Sequence, residues 1–158
     1  MKIIVSFLVL AASLLISGCA ATVKMSPKEE SAKAKEFNPP SPGNAGVYVY
    51  RDNIFFGKSI KKDIWIDGKC LGESARGVFF YTEVAGGKTH KIGTESEFSA
   101  NLLELMFEAG KNYFIRQYIK PGVFVGQAGL EQVSEKDGME ALADLQLAQP
   151  GKCSSATP

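Results

Sequence analysis

From Val47 to Val133 the large apolar residues arrive in short bursts, and nearly every burst is closed by glycine or another turn-forming residue. Bursts of that length, so punctuated, fit strands joined by tight turns. Val47 and Val49 alternate with Tyr48 and Tyr50. Ile64-Trp65-Ile66 runs into Asp67-Gly68, a dipeptide suited to the positive φ angles of a two-residue hairpin. Val78-Phe79-Phe80-Tyr81 reads as a dense strand, Ala85-Gly86-Gly87-Lys88 as a turn and Thr89 to Thr94 as the next strand. Tyr113 to Ile119 alternates until Pro121-Gly122, and Val123 to Val125 starts a further strand. This predicts an all-β domain, an antiparallel β-sandwich or a partly open barrel. Asn101 to Ala109 (NLLELMFEA) suits either a helix ended by Gly110 or a strand with Leu103, Leu105 and Phe107 facing inward. Its β surroundings favour the strand. Ser134 with Asp137 resembles a capping box, and Met139, Leu142 and Leu145 follow at helical spacing. One short C-terminal helix is expected there, although Gly138 disfavours it.

The N-terminus carries a different signal. Met1-Lys2 is followed by an almost continuous apolar run from Ile3 to Ile16, then by the small residues Ser17-Gly18 against Cys19. The run is too short for a membrane span of roughly 20 residues, and its flanks are those of an export signal. Ile16-Ser17-Gly18-Cys19 resembles the lipobox of bacterial lipoproteins. That resemblance implies a signal peptide over residues 1–18, cleavage before Cys19, and acyl chains such as palmitate on the cysteine. Ala20, rather than aspartate, implies sorting to the outer membrane, with the domain facing the periplasm. Each buried CH₂ contributes about 0.8 kcal/mol, so several chains together anchor stably.

Residues 19–44 hold Pro27, Pro39, Pro40 and Pro42 among Lys and Glu. Such a composition buries too little surface to offset ordering, which predicts a lipidated cysteine on a disordered tether. Lys28 to Lys35 can form a transient helix with nothing to pack it. The β domain is expected over 45–149 and a disordered tail over 150–158. Gly46-Val47-Tyr48-Val49-Tyr50-Arg51, then Ile64-Trp65-Ile66-Asp67-Gly68-Lys69 with Leu71-Gly72, then Gly110-Lys111-Asn112-Tyr113-Phe114-Ile115 resemble, in order and spacing, bacterial lipoproteins carrying the domain of unknown function 2846. The resemblance spans roughly residues 45–135 and implies an exported β domain. It supplies no catalytic residue.

Charge and side-chain chemistry narrow the function. The chain has 18 Lys+Arg against 17 Asp+Glu, and removing residues 1–18 takes away only Lys2. No basic excess points to nucleic acid or to an electrostatic hold on anionic lipid. The single histidine, His90, follows a Gly-Gly turn with no nucleophile motif near it, and reads as a strand residue facing solvent or packing by its ring. One histidine and widely spaced cysteines give no zinc pattern, and Gly122 to Gly126 lacks a phosphate-loop ending. No metal, cofactor or small-molecule substrate is implied. With Cys19 taken by lipid, Cys70 and Cys153 are left to pair in an oxidising compartment. The alternative leaves Cys153 in a loose tail and Cys70 simply buried.

Three classes of function remain. The first is a non-enzymatic module that binds or scaffolds another envelope protein. The second is a carboxylate-based hydrolase drawing on Glu95, Glu97, Glu104 and Glu108. The third is a carbohydrate- or peptidoglycan-binding domain with Trp65 or tyrosines as stacking platforms. With no recognisable catalytic constellation, the first is favoured. Its contact is expected on the loop Arg51 to Lys58, where Ile54, Phe55 and Phe56 stand in a row. Those residues either meet a partner or fold back to plug the end of the sandwich.

Overall fold

The computed structural model describes residues 22–154, so residues 1–21, with the expected signal peptide and Cys19, lie outside the described residues, as do 155–158. Among the described residues, nine strands form two sheets. They are β1 (Asn44–Arg51), β2 (Lys62–Ile66), β3 (Lys69–Ser74), β4 (Val78–Ala85), β5 (Lys88–Thr94), β6 (Asn101–Phe107), β7 (Asn112–Lys120), β8 (Gln127–Val133) and β9 (Gln146–Leu147). Sheet I runs β8-β7-β1-β4-β9 and sheet II runs β3-β2-β5-β6. The two pack as a sandwich, the expected fold class. Most neighbours are antiparallel, but β1 lies parallel to β7 and β4 parallel to β9. Asp67 and Gly68 carry φ angles of 50° and 73°, the geometry that a tight hairpin between β2 and β3 demands. Asn101–Phe107 is a strand, with Leu103 and Leu105 packed against the core and Phe107 fully buried.

The inner core joins Val47, Val49, Ile64, Ile92, Phe80, Phe107 and Ile115 across the sheets. Sheet I is also covered on its outer face. Tyr48, Tyr50, Phe79 and Phe114 form a second cluster there, beneath Leu142 and Leu145. With both faces buried, β1 is buried almost without a break, as a central strand should be. Tyr48 and Phe114 stack with ring centroids 4.9 Å apart and planes 8° from parallel.

Two helices make this outer cover: α1 (Lys28–Ala34) and α2 (Glu135–Leu142). α2 is the expected C-terminal helix, and Ser134 Oγ accepts the Asp137 N–H at 3.1 Å. Gly138 is there for space, because a Cβ at that position would stand 2.3 Å from Cγ of Phe114.

The tether expected from residue 19 to 44 is corrected over its described part. Ser26 N–H donates to Leu147 O at 2.8 Å, and Tyr48 Oη donates to Ala34 O at 2.9 Å. Phe37 meets Tyr48 and Phe114 edge-on at 5.5 and 5.8 Å. The segment supplies the lid that the outer face of sheet I needs. The disordered tail is corrected in the same way. Gly151 N–H donates to Leu71 O at 3.1 Å, and Ser154 caps Asp63 Oδ2 through its N–H at 2.8 Å. The packed unit therefore extends beyond 45–149 at both ends.

Candidate functional site

Strand register places three loops at one end of the sandwich. β1 ends at Arg51, opposite the start of β4 at Val78, and leads into the β1–β2 loop. Because β7 runs parallel to β1, its C-terminal end and the β7–β8 loop lie at that same end. The two loops touch: a Cβ on Gly126 would meet Ile60 Cδ1 at 2.5 Å, and one on Gly57 would meet Ile119. The β5–β6 loop joins them through Glu97, whose carboxylate accepts the backbone N–H groups of Val123 (2.7 Å), Phe124 and Val125 (3.2 Å).

Polar side chains hold these loops from inside. Arg51 is buried and donates to the carbonyl oxygens of Ile60 (2.7 Å) and Gly57, folding the β1–β2 loop over its guanidinium. Burial pushes its pKa down to about 10. Arg116 on β7 binds Asp52 at the start of that loop at 2.6 Å and Glu131 on β8 at 2.8 Å. For Glu97, desolvation opposes the charge, but the Gln127 amide and the three backbone N–H groups outweigh it and hold the carboxyl below its ordinary range.

The outward side of the same loops is apolar. Ile54, Phe55 and Phe56, then Phe98, then Val123, Phe124 and Val125 are all at least half exposed. Phe55 is 76 % exposed and Phe124 83 %, so their rings stand nearly clear of the protein. Of the remaining exposed large apolar residues among those described, Leu102 lies on β6 next to this rim, whereas Met106, paired with Thr89, lies toward the opposite end of the strand. Lys58 Nζ sits 4.5 Å from the Phe55 ring centroid. Polar groups inward and apolar groups outward is the reverse of an ordinary loop.

Of the residues singled out in the sequence, Ile54, Phe55 and Phe56 are therefore exposed and do not plug the sandwich. Val123 to Val125 was expected to open a strand. It is a loop tip instead, since β8 starts only at Gln127 and the Glu97 carboxylate takes the amides that a strand neighbour would have used. Sequence reasoning missed Phe98, and it named Glu97 only as a candidate hydrolytic carboxylate and Arg51 only as the start of the contact loop, not as the groups that hold the loops. Nothing in a lone glutamate or arginine signals that it will bind backbone across loops distant in sequence.

The other candidates lie elsewhere. Cys70 and Cys153 form a disulfide, with Cα atoms 5.8 Å apart. His90 is buried and stacks on Phe107, with Nδ1 at 2.6 Å from Asp67 Oδ2 and Nε2 at 2.8 Å from Ala85 O. Desolvation opposes the charge on Asp67, but the Lys91 N–H and the His90 ring prevail and lower its pKa. This pair braces the hairpin end opposite the rim. Trp65 is only 2 % exposed, which removes it as a stacking platform. The carboxylates are engaged separately: Glu95 with Lys62, Glu104 with Lys91, Glu108 with Lys111. A cavity of about 430 Å³, lined by Phe37, Asn112, Tyr113 and Ser134, also lies away from the rim, and the charged residues in its lining are Lys111 and Glu135. Among the described residues, no group of three or more His, Cys, Asp or Glu is placed to hold a metal ion.

Comparison with known proteins agrees with this domain. Residues 41–130 match the model of a protein family of unknown function, DUF2846. The chain belongs to the DUF2846 family. An uncharacterized protein of Haemophilus influenzae is 55 % identical over 140 residues, covering 89 % of this chain and 82 % of that protein. No solved structure matches. The DUF2846 match runs from just before β1 into β8 and so contains all three rim loops. α1, α2 and Cys153 fall outside it.

Proposed function

We propose that this DUF2846 protein is an exported, lipid-anchored module that works without catalysis, by contact through the apolar rim. One observation carries the reading: seven large apolar side chains from three loops point outward at one end, on backbone held in place by Arg51, Glu97 and Arg116. A surface organised before contact binds at lower entropic cost than one that must be ordered on binding. The Cys70–Cys153 bond supports export, since such bonds persist in oxidising compartments. The lipobox-like Ile16-Ser17-Gly18-Cys19 supports an anchor on Cys19.

Two measurements test this. Labelled fatty acid is incorporated into the wild-type chain and not into Cys19→Ala; equal label in both, or none in the wild type, removes the anchor. Separately, Phe55→Ser combined with Phe124→Ser changes stability by only about 0.5 kcal/mol, as surface substitutions do. A loss of several kcal/mol in thermal unfolding would identify these rings as core and end the contact reading.

A further inference from the structure

We propose that the rim is a bilayer-entering surface, whose phenylalanine and valine tips sit in the hydrocarbon boundary of a lipid membrane. This rests on the reading of the rim as a contact surface and names what it contacts.

The shape favours lipid. Phe55, Phe98 and Phe124 are each about three-quarters exposed or more and come from three different loops. Protruding, separate rings demand a matching pocket apiece from a folded partner. Fluid hydrocarbon accepts them without shape complementarity. The tips also lack the Trp, Tyr and Arg that dominate protein–protein hot spots.

The backbone is prepared for a dry environment. An amide that enters hydrocarbon must already have its acceptor. The Val123, Phe124 and Val125 N–H groups have theirs in Glu97. Charge at the margin fits as well. Asp52 is bound by Arg116 and Glu95 by Lys62, while Lys58 and Lys120 flank the rim without a carboxylate partner among the described residues. Set against the Glu97 carboxylate beneath the tips, these two cations leave the margin weakly positive, which suits the interface of a membrane that contains anionic lipid.

The rim is a separate attachment from the N-terminus. Met25 pairs antiparallel with Ala148, and β9 runs parallel to β4. The chain at Thr22 therefore heads toward the Ala85 end of β4, away from the rim.

The test reads the rim itself in the full lipidated chain. Phe124→Trp is reconstituted into vesicles of phosphatidylethanolamine and phosphatidylglycerol with brominated acyl chains. Wild type, with Trp65 buried, supplies the background. The introduced tryptophan is expected to shift to the blue and to be quenched by bromine, with no quenching of Trp65. Adding Phe55→Ser and Phe98→Ser should lower the rim's partitioning by roughly a hundredfold or more and abolish the quenching. Quenching on single vesicles supports the proposal, and so does quenching that accompanies vesicle clustering, which places the rim in an opposed bilayer. An introduced tryptophan that stays unquenched, in a protein that melts with wild type, overturns the bilayer proposal and leaves the contact reading standing. A shift to dimers in sedimentation that depends on Phe55 and Phe98, without quenching, overturns it in favour of a second copy. A melting temperature far below wild type instead removes the contact reading itself.

Discussion

Cys153→Ser lowers the melting temperature by roughly 10–15 °C. The disulfide closes a loop of 83 residues, and cross-linking so long a segment removes enough disorder from the unfolded chain to stabilise the fold by about 4 kcal/mol. In a domain of this size that free energy converts to a shift of the stated order. The bond also has a local consequence. Cys70 is the cross-strand partner of Trp65, and Ser154, next to Cys153, caps Asp63 on the same face of β2. Trp65 and Asp63 lie on the side of β2 opposite the core residues Ile64 and Ile66, yet both are buried. The C-terminal strap that Cys153 pins down is thus the cover of that face. Trp65 is the chain's single tryptophan, so its emission reports the surroundings of this face of β2. Reductant, or Cys153→Ser, should move that emission to the red as the melting temperature falls. Unchanged emission and melting after full reduction would show that the strap holds without the bond.

The inner sandwich could be read from local pattern because its strands announce themselves locally. The Asp67-Gly68 turn, the Gly86-Gly87 turn and the alternation along Tyr113–Ile119 each state their own conformation, and neighbouring strands follow. The lid over sheet I makes no such statement. Val23, Met25, Ala34 and Phe37 are scattered among lysines, glutamates and prolines with no period. Their burial depends on contacts with residues far along the chain, such as Asn112 Nδ2 donating to Phe37 O at 3.0 Å across 75 positions. The rim was half legible for the same reason. Ile54-Phe55-Phe56 stands out as an apolar run in a turn-forming context. Val123-Phe124-Val125 imitates a strand, and only its capture by Glu97, 26 to 28 residues earlier, makes it a loop. His90 is a similar case. The sequence left its ring either facing solvent or packed, and the Asp67 contact that fixes it as packed comes from a different hairpin.

Deleting residues 22–38 destabilises the domain by about 5 kcal/mol or more, enough to leave much of the population unfolded. A tether could be removed without effect, whereas this segment cannot. Its loss uncovers Tyr48 and Phe114 and strands three polar groups: Tyr48 Oη loses Ala34 O, Leu147 N–H loses Ser31 Oγ, and the Asn112 amide loses Phe37 O. Water reaches these groups once the segment is gone, so each lost bond costs its net worth of about 0.5–1.5 kcal/mol, and the uncovered rings supply the rest. Phe37 carries much of the apolar share, through its edge-on contacts with both rings, and Phe37→Ala should cost about 2 kcal/mol. Its backbone adds a sharper test. Phe37 has a φ of 52°, a left-handed conformation that disfavours any side chain by about 1–2 kcal/mol and that glycine adopts freely. Phe37→Gly and Phe37→Ala lose the same ring, but glycine escapes the strain, so the glycine variant should be the more stable of the two. That order reverses the usual advantage of alanine. Chemical denaturation of the two variants measures it directly, and an alanine variant more stable than the glycine one would mean that position 37 does not hold this conformation in solution.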